Sequence, residues 1–431
     1  MSLLVRQKEY TSAAFPPELF DETLDHLWDD PKSLKACSLA CRAWVPTTRL
    51  HLFRTVLLTS LSSTARFSAL LDSTPDIAWH VRKLSITAQY SRDVDHDNNE
   101  DNAEGLRTIE DDGWVNTCVG IAQRLGETGR VNTLALSRMR WSHLESSTKE
   151  AFKGLFKNVR ALFLFEIRFR TSGDVLEFLD AFPDLDELYF HAVSWDHDSN
   201  TPLVPTPPAT NNASDWLSMQ PRFGQKDKMH LTYLFLDPRS SPTLVTEWLL
   251  SHPLEKKLRT IQLCWREMDG TKALGDLLQV SGSSLERLQI EFPSGIPEEA
   301  VLHNHLSLAH NTSLRSLSFG GLDVSAASSR AFLSTHLFPW VTQMLADLRS
   351  PLLHEITFEL ETPNVSGLRT LDWVSIDQEL SRREFIGLTV RFYVDCNEGG
   401  RGDNVEQEVR KEIEERLKGF KERGVLRVNC I

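Results

Sequence analysis

Residues 159–164 read Val-Arg-Ala-Leu-Phe-Leu, and residues 185–190 read Leu-Asp-Glu-Leu-Tyr-Phe. In both stretches apolar residues alternate with variable ones, which is the period-two pattern of a β-strand with one buried face. Leu162 and Leu188, which occupy the same place in the two stretches, are 26 residues apart. A strand pattern that returns at such a distance predicts an array of similar structural units.

The pattern returns along most of the chain after residue 54. Where no insertion intervenes, its central apolar residues follow one another at distances of 26 to 29 residues. This period lies in or near the range of roughly 20 to 29 residues of leucine-rich repeats, which the units resemble although they lack the usual Asn or Cys ladder. The copies begin at Arg54, Val81, Val131, Val159, Leu185, Leu231, Leu258, Leu285, Leu314 and Leu353, with weaker copies at Leu388 and Val425.

Helical patterns lie between these strands. Strand alternating with helix at a fixed period predicts parallel strands and right-handed crossovers, so the units stack as a curved solenoid. We therefore expect an α/β protein in which a small all-α module precedes a horseshoe-shaped, leucine-rich-repeat-like solenoid. A doubly wound sheet is the alternative, which the large number of similar strands disfavours. The predicted helices are Val115–Leu125, Ser147–Phe156, Asp174–Phe182, Thr243–Leu250, Lys272–Val280, Glu298–His310, Arg330–Leu348 and Val405–Phe420.

Two insertions interrupt the period of the predicted solenoid, residues 55–431. The first, at about 91–112, contains nine Asp or Glu residues against one Arg between positions 93 and 112. The second, at about 194–229, is rich in Pro, Thr and Asn. Both compositions are typical of solvated, mobile loops without a packed core. We also expect residues 1–14 to form a flexible tail.

The segment from residue 15 to 54 has a different pattern. Residues 15–20 read Phe-Pro-Pro-Glu-Leu-Phe, and residues 33–44 read Ser-Leu-Lys-Ala-Cys-Ser-Leu-Ala-Cys-Arg-Ala-Trp. In order and spacing these stretches resemble the F-box motif of fungal-type F-box proteins, with its Leu-Pro-x-Glu-Leu opening, apolar helix and Val-Cys-Arg-x-Trp ending. Phe15 and Thr23 depart from that motif.

The resemblance implies that this helical module docks onto the Skp-type adaptor of a cullin–RING ubiquitin ligase. Independently, three short helices in forty residues carry more apolar surface than they can bury themselves, which is typical of a partner site. The alternative is that these side chains pack against the rest of the chain. The predicted adaptor-binding residues are Phe15, Pro16, Leu19, Phe20, Leu24, Leu27, Leu34 and Trp44.

A second surface follows from the strand pattern, because residues that alternate with the core positions lie on the opposite face of the sheet. Exposed aromatic residues on a rigid surface are typical anchors of a protein interface. We expect this concave face to bind a substrate protein, unless a helix or the second insertion covers it. The predicted substrate-binding residues are Phe163, Phe165, Tyr189, His191, Tyr233, Phe235, Gln262 and Arg287.

Composition narrows the classes of function. The formal net charge of −13 disfavours a nucleic-acid partner, and no apolar run is long enough to span a membrane. Six scattered cysteines without a Cys-x-x-Cys pair favour reduced thiols, hence a cytoplasmic or nuclear protein. No hydrolase, phosphate-loop or metalloprotease motif is present, so we expect no catalytic, cofactor or metal site.

The sequence thus predicts the substrate-recognition subunit of an SCF-type (Skp-cullin-F-box) ubiquitin ligase. The alternative is a non-catalytic repeat scaffold unconnected with ubiquitin.

Overall fold

A computed structural model describes residues 17–89, 112–197, 229–252, 258–265, 271–292, 305–324, 337–362, 364–396 and 403–430. The tail predicted for residues 1–14 and most of both predicted insertions lie outside these ranges. The described part is a mixed α/β structure with an open sheet of thirteen parallel strands and many helices. The prediction of parallel strands that alternate with helices is therefore confirmed.

Nearly every strand pairs with the next strand of the chain, so the order in the sheet follows the order in the sequence. The exception is β6, which pairs with the far end of β4. The strands are β1 (Thr55–Leu58), β2 (Lys83–Thr87), β3 (Thr133–Arg140), β4 (Ala161–Thr171), β5 (Glu187–His191), β6 (Ser194–His197), β7 (Tyr233–Leu236), β8 (Thr260–Cys264), β9 (Arg287–Glu291), β10 (Ser316–Asp323), β11 (Glu355–Glu361), β12 (Thr389–Asp395) and β13 (Val425–Cys430).

Helices connect many of the strands and supply the second layer of the structure. Since consecutive neighbours are parallel, right-handed crossovers place these helices on one face of the sheet. The helices are α1 (Pro17–Asp25), α2 (Pro31–Ala40), α3 (Val45–Leu52), α4 (Leu61–Ser73), α5 (Val119–Thr128), α6 (Ser146–Leu155), α7 (Ser172–Leu179), α8 (Pro242–Leu250), α9 (Thr271–Ser281), α10 (Pro339–Asp347), α11 (Trp373–Leu380), α12 (Asp403–Arg416) and α13 (Lys418–Lys421).

The core lies between the sheet and this helical layer. Leu162, Leu188 and Leu234 are in register on three neighbouring strands and are completely buried. Burying one leucine side chain contributes about 1.5 to 3 kcal/mol, so the row is a substantial source of stability. The residues that alternate with it, such as Phe163 and Tyr189, are only half-buried. One face of the sheet is thus core, and the other, which we call the open face, is only partly buried among the described residues.

Glycines allow some neighbours in the helical layer to approach closely. A Cβ atom on Gly126 of α5 would lie 2.6 Å from the Cβ of Leu155 at the end of α6. A Cβ atom on Gly275 of α9 would lie 1.8 Å from the carbonyl oxygen of His305. Gly120, at the start of α5, has nothing within 4 Å of its Cβ position. The absence of a side chain is therefore a packing requirement at Gly126 and Gly275 but not at Gly120.

The three N-terminal helices form a small core of their own. Asp30 caps α2, because its Oδ1 accepts hydrogen bonds of 3.1 Å from the backbone N–H groups of Lys32 and Ser33. Leu24 on α1 and Leu34 on α2 are 3% and 1% exposed, yet neither belongs to the continuous core of the sheet. The N-terminal helices therefore bury part of their apolar surface among themselves.

The structure corrects the predicted limits of both insertions. Asp112 is buried, and its Oδ2 accepts hydrogen bonds of 3.1 Å from the backbone N and Nε of Arg140. Ser194–His197 forms strand β6, and Met229 is buried in the core. The composition of both stretches is typical of loops. It gave no sign that Asp112 pairs with Arg140 or that Ser194–His197 joins the sheet.

Several helix predictions also need correction. Residues 305–310 of the helix predicted for Glu298–His310 are not helical, and the rest of that range lies outside the described residues. The sequence analysis missed α4 and α11. The two weaker strand copies, at Leu388 and Val425, correspond to the complete strands β12 and β13.

Candidate functional site

Large apolar side chains are exposed on the N-terminal helices. Leu19 on α1 is 42% exposed, Trp28 after α1 is 63% exposed, and Leu39 on α2 is 88% exposed. Leu50 on α3 is exposed as well. We call these four side chains the module surface. Apolar surface of this kind is typical of a protein–protein contact.

The residues predicted to bind an adaptor fall into three groups. Leu19 is exposed, whereas Phe20, Leu27 and Trp44 are half-buried, and the rings of Phe20 and Trp44 lie 5.4 Å apart. Leu24 and Leu34 are buried among the N-terminal helices, and the adaptor contacts predicted for these two residues stay a prediction. Phe15 and Pro16 lie outside the described residues.

The predicted substrate-binding residues lie together on the open face of the sheet. Phe163 on β4, Tyr189 on β5 and Phe235 on β7 are in register. The rings of Phe163 and Tyr189 stack with centroids 4.1 Å apart, and Tyr189 lies 4.7 Å from Tyr233. We call the six rings of this group the aromatic ladder. Its members are Phe163, Phe165, Tyr189, His191, Tyr233 and Phe235.

Polar groups anchor the tyrosine hydroxyls of the aromatic ladder. The Tyr189 hydroxyl donates to Oε2 of Glu187 over 3.3 Å, and the Tyr233 hydroxyl donates to Oε1 of Gln262 over 2.7 Å. Burial, reinforced by the charge of Glu187, raises the pKa of Tyr189. Burial likewise raises the pKa of Tyr233, although its hydrogen bond with Tyr189 opposes this. Both tyrosines are therefore neutral hydrogen-bonding groups at physiological pH.

Two positively charged side chains lie at one side of the aromatic ladder. The Nζ atom of Lys83 on β2 lies 5.1 Å from the ring centroid of Phe163, and the guanidinium of Arg138 lies 6.0 Å from that of Phe165. Nε of Arg138 also contacts Oε2 of Glu166 over 3.0 Å. Cation–π contacts of this kind are worth about 0.5 to 1 kcal/mol at exposed sites and orient the rings.

His191 is held between an aromatic ring and a buried carboxylate. Its ring stacks on Phe165 with centroids 4.2 Å apart, and its Nδ1 lies 3.6 Å from Oδ2 of Asp237. Asp237 is 3% exposed, and its Oδ1 accepts hydrogen bonds from the Ala192 N–H and the Ser240 hydroxyl. The stacking on Phe165 and the contact with Asp237 hold the imidazole of His191 in the aromatic ladder. The Asp237 carboxylate also holds the backbone at Ala192 and the side chain of Ser240.

Unusual backbone conformations cluster beside the ladder. Arg138, Glu166 and Ala192 have φ values of 54°, 54° and 52°, and each directly follows a residue of the open face in three neighbouring strands. A non-glycine residue in this left-handed region costs energy, and such residues concentrate at functional sites. These left-handed residues lie at one level of the sheet, within β3 and β4 and directly after β5.

The two remaining predicted residues continue the face away from the aromatic ladder. Gln262 on β8 is in register with Phe235 and is hydrogen-bonded to Tyr233. Arg287 on β9 is exposed and lies two strands farther on than Tyr233. The predicted face is therefore one surface, in which rings give way to polar side chains.

Beyond Arg287 the open face becomes charged. Nε of Arg391 on β12 contacts Oε1 of Glu355 on β11 over 2.7 Å. Glu291 on β9 and Glu359 on β11 stand on either side of Gly320 on β10. A Cβ atom on Gly320 would lie 3.3 Å from Oε2 of Glu359 and 3.4 Å from the Cβ of Glu291.

Sequence reasoning missed several members of these surfaces. Trp28 and Leu39 were overlooked because the F-box resemblance emphasises other positions, although Trp28 is a bulky apolar residue followed by Asp29 and Asp30. The left-handed conformations of Arg138 and Glu166 had no signal, because glycine marks such conformations in most sequences. Gly320 could have been noticed as a glycine within a strand pattern, which often marks a close approach.

Comparisons with known proteins add no family assignment. No protein-family model matches the chain, and no curated protein is significantly similar to it. Among the described residues, no group of three or more His, Cys, Asp or Glu side chains is arranged to hold a metal ion. A search of the same residues finds no helix with the length and apolar character needed to cross a membrane.

Proposed function

We propose that this protein is the substrate-recognition subunit of an SCF-type ubiquitin ligase. In this proposal the N-terminal helices are an F-box module that binds a Skp-type adaptor, and the adaptor links the chain to the cullin and RING subunits. The remaining units are a leucine-rich-repeat-like solenoid whose concave face holds a substrate protein. The chain itself is a non-catalytic adaptor that acts in the cytoplasm or nucleus.

The exposed module surface is the observation that carries the proposal. The sequence resemblance predicts a partner for these helices, and Leu19, Trp28 and Leu39 leave 42%, 63% and 88% of their surfaces open. A protein that merely used the helices as an end cap for the sheet would bury such residues against it. Burying one large apolar side chain in an interface is worth about 1.5 to 3 kcal/mol.

The topology of the sheet supports the solenoid part of the proposal. Strands that follow one another in sequence order, with their helices on one face, leave the opposite face free of the described helices that connect them. Strands lie about 4.8 Å apart, so ten of them offer a face about 50 Å long, which suits a macromolecule better than a small ligand. The aromatic ladder supplies the large, rigid side chains that dominate protein interfaces.

The adaptor role is tested by binding of the full chain to a purified Skp-type adaptor. The double variant Leu19→Asp/Leu39→Asp places charges on the module surface without touching Leu24 or Leu34. We expect its affinity to fall at least 30-fold, since hot-spot residues contribute about 2 kcal/mol or more. Ile386→Asp is the matched control, because Ile386 is 80% exposed and lies outside the N-terminal helices.

Two outcomes would contradict the adaptor role. The parent chain could remain folded, as judged by its thermal unfolding, and still form no complex with the adaptor. Alternatively, the double variant could bind as tightly as the Ile386→Asp control. The first result would favour the repeat scaffold without a ligase, and the second would move the contact away from the module surface.

A further inference from the structure

We propose that Cys396 and Cys430 are a redox-active pair that forms a reversible disulfide and thereby fastens strand β13 to strand β12. The oxidant is a low-molecular-weight disulfide such as glutathione disulfide. The inference goes beyond the function proposed above and does not depend on it. Both cysteines lie at the end of the sheet that is farthest from the N-terminal helices.

The two cysteines lie at the ends of neighbouring strands. Cys430 is the last residue of β13 and is in register with Val394 of β12. Cys396 directly follows β12, and its Sγ atom lies 4.0 Å from the carbonyl oxygen of Val394. The side chain of Cys396 is therefore directed back toward the level of the sheet at which Cys430 lies. Helices α12 and α13 separate the two cysteines in the sequence, so the fold brings the thiols together.

The two thiols contact each other. They form a hydrogen bond with one another, and Sγ of Cys430 also lies 3.6 Å from the carbonyl oxygen of Glu406 on α12. Both side chains are half-buried at the edge of the core, so one part of each remains open to a small oxidant. Cys118 and Cys264, by comparison, are buried. Contact and partial exposure together are what an internal disulfide requires of two thiols.

Burial keeps the pair protonated at neutral pH. It raises the pKa of the Cys396 thiol to about 11, and the charges of Cys430, Glu406 and Asp395 act in the same direction. Burial also raises the pKa of Cys430, but the nearby Arg410 and the hydrogen bond with Cys396 oppose this shift. The thiolate is the attacking species in disulfide exchange. Cys430 is therefore the first nucleophile, and the pair responds slowly, to sustained oxidation.

The reaction balances with glutathione disulfide as the oxidant. The Cys430 thiolate attacks one sulfur of the oxidant, breaks its S–S bond and forms a mixed disulfide, which releases one glutathione. The Cys396 thiolate then attacks the sulfur of Cys430 and releases the second glutathione. Two protein S–H bonds are lost, their protons pass to the two released glutathione molecules, and the oxidant takes up two electrons. An excess of reduced glutathione reverses both steps.

The disulfide should stabilise one edge of the sheet. Among the described strands, β13 pairs with β12 alone. A strand at the end of a sheet opens locally at a lower free energy than the strands of the core. A covalent link between Cys396 and Cys430 closes a loop of about 35 residues and limits the states that the opened strand can reach. Oxidation therefore protects β13 from local opening.

The link is tested on the full chain, which is incubated with glutathione disulfide at pH 8.5 so that more thiolate is present. After the oxidant is removed, the remaining thiols are blocked with iodoacetamide in urea, and the chain is digested without reduction. We expect mass spectrometry to show a peptide pair joined through Cys396 and Cys430. Dithiothreitol should separate this pair.

Three variants distinguish a specific pair from chance oxidation. Cys396→Ser and Cys430→Ser should each abolish the linked peptide. Cys396→Ser should in addition accumulate the mixed disulfide of Cys430 with glutathione, because the second thiol is missing. Cys37→Ser is the matched control, since Cys37 is also half-buried but lies on α2, and it should give as much linked peptide as the parent chain.

Hydrogen exchange measures the effect on the strand. We expect the backbone amides of β13 to exchange at least about tenfold more slowly in the oxidised parent chain than in the reduced one. The same treatment of Cys430→Ser should change nothing in β13. Equal exchange in the oxidised and reduced parent chain would overturn the fastening of the strand.

Two further results would overturn the pair itself. In the first, the parent chain is folded by circular dichroism and yields no peptide joined through Cys396 and Cys430 at any ratio of oxidised to reduced glutathione. In the second, the urea-unfolded chain yields as much of this peptide as the folded chain, which would make the link a product of random exchange. Adaptor binding is measured separately, and neither result changes its interpretation.

Discussion

Two glycines in one helix provide a sharp test of the packing between neighbouring helices. Gly120 and Gly126 both belong to α5, and we compare Gly→Ala at each. Alanine is favoured over glycine in a helix by about 0.5 to 1 kcal/mol. If only the helix mattered, both substitutions would stabilise the protein.

The surroundings of the two positions differ. Nothing lies within 4 Å of a Cβ atom at Gly120, so we expect Gly120→Ala to stabilise the fold by up to about 0.5 kcal/mol, the gain being reduced in a first turn. At Gly126 the new Cβ would lie 2.6 Å from the Cβ and 3.0 Å from the carbonyl oxygen of Leu155, which requires α5 and α6 to separate by about 1 Å. Overpacking of this kind costs about 1 to 3 kcal/mol. The net effect expected for Gly126→Ala is therefore a destabilisation of about 0.5 to 2 kcal/mol.

Urea unfolding followed by circular dichroism measures both free energies, and differential scanning fluorimetry checks their order. We expect the midpoints to rank Gly120→Ala at or above the parent chain, and Gly126→Ala clearly below it. A Gly126→Ala variant at least as stable as the parent would refute the close contact between α5 and α6. If Gly120→Ala lowered the free energy of unfolding as much as Gly126→Ala, the position in the helix and not the packing against α6 would determine the stability of both variants.

Three further predictions concern one core residue and two titratable groups. Leu188→Ala, at a fully buried position of β5, should lower the free energy of unfolding by about 3 to 5 kcal/mol in urea titrations. The pKa of Glu359 is raised in the folded state. Its ionisation therefore lowers the free energy of unfolding as the pH rises above the pKa of this group in the unfolded chain, which is near 4.5. The melting temperature of Glu359→Gln should exceed that of the parent chain at pH 7, and this difference should shrink toward pH 4. A difference that stayed constant with pH would contradict the prediction. Burial raises the pKa of the Cys118 thiol to about 11, so iodoacetamide should modify it at pH 7.5 only after unfolding, as mass spectrometry of the digested protein would reveal.

The sheet could be predicted from the sequence because its signal is short-range. Each strand copy carries its own alternation, and Leu162 and Leu188 follow one another at the distance of one repeat. The same alternation selected Phe163 and Tyr189 for the open face, where the structure places them. Local periodicity is sufficient when neighbours in the sequence are also neighbours in space.

Features that depend on contacts between distant residues were not predictable. Asp112 belonged to an acidic stretch, and only the position of Arg140 on β3 explains why it is buried. Leu24 and Leu34 matched a motif whose positions suggest partner contact, but their burial depends on how α1, α2 and α3 pack. The left-handed conformation of Glu166 recurs at Arg138 and Ala192 beside it, and no glycine marks any of the three positions in the sequence.

The separation of the sheet into a buried face and an open face has a consequence for how this protein can evolve. Side chains that hold the fold and side chains of the open face occupy alternate positions of the same strands, so a substitution at one set leaves the packing of the other largely unchanged. Under the function proposed above, partner preference can therefore drift by single exchanges along the open rows without a stabilising change elsewhere. Under that proposal, duplicated copies of such a gene acquire new partners while the buried rows stay the same.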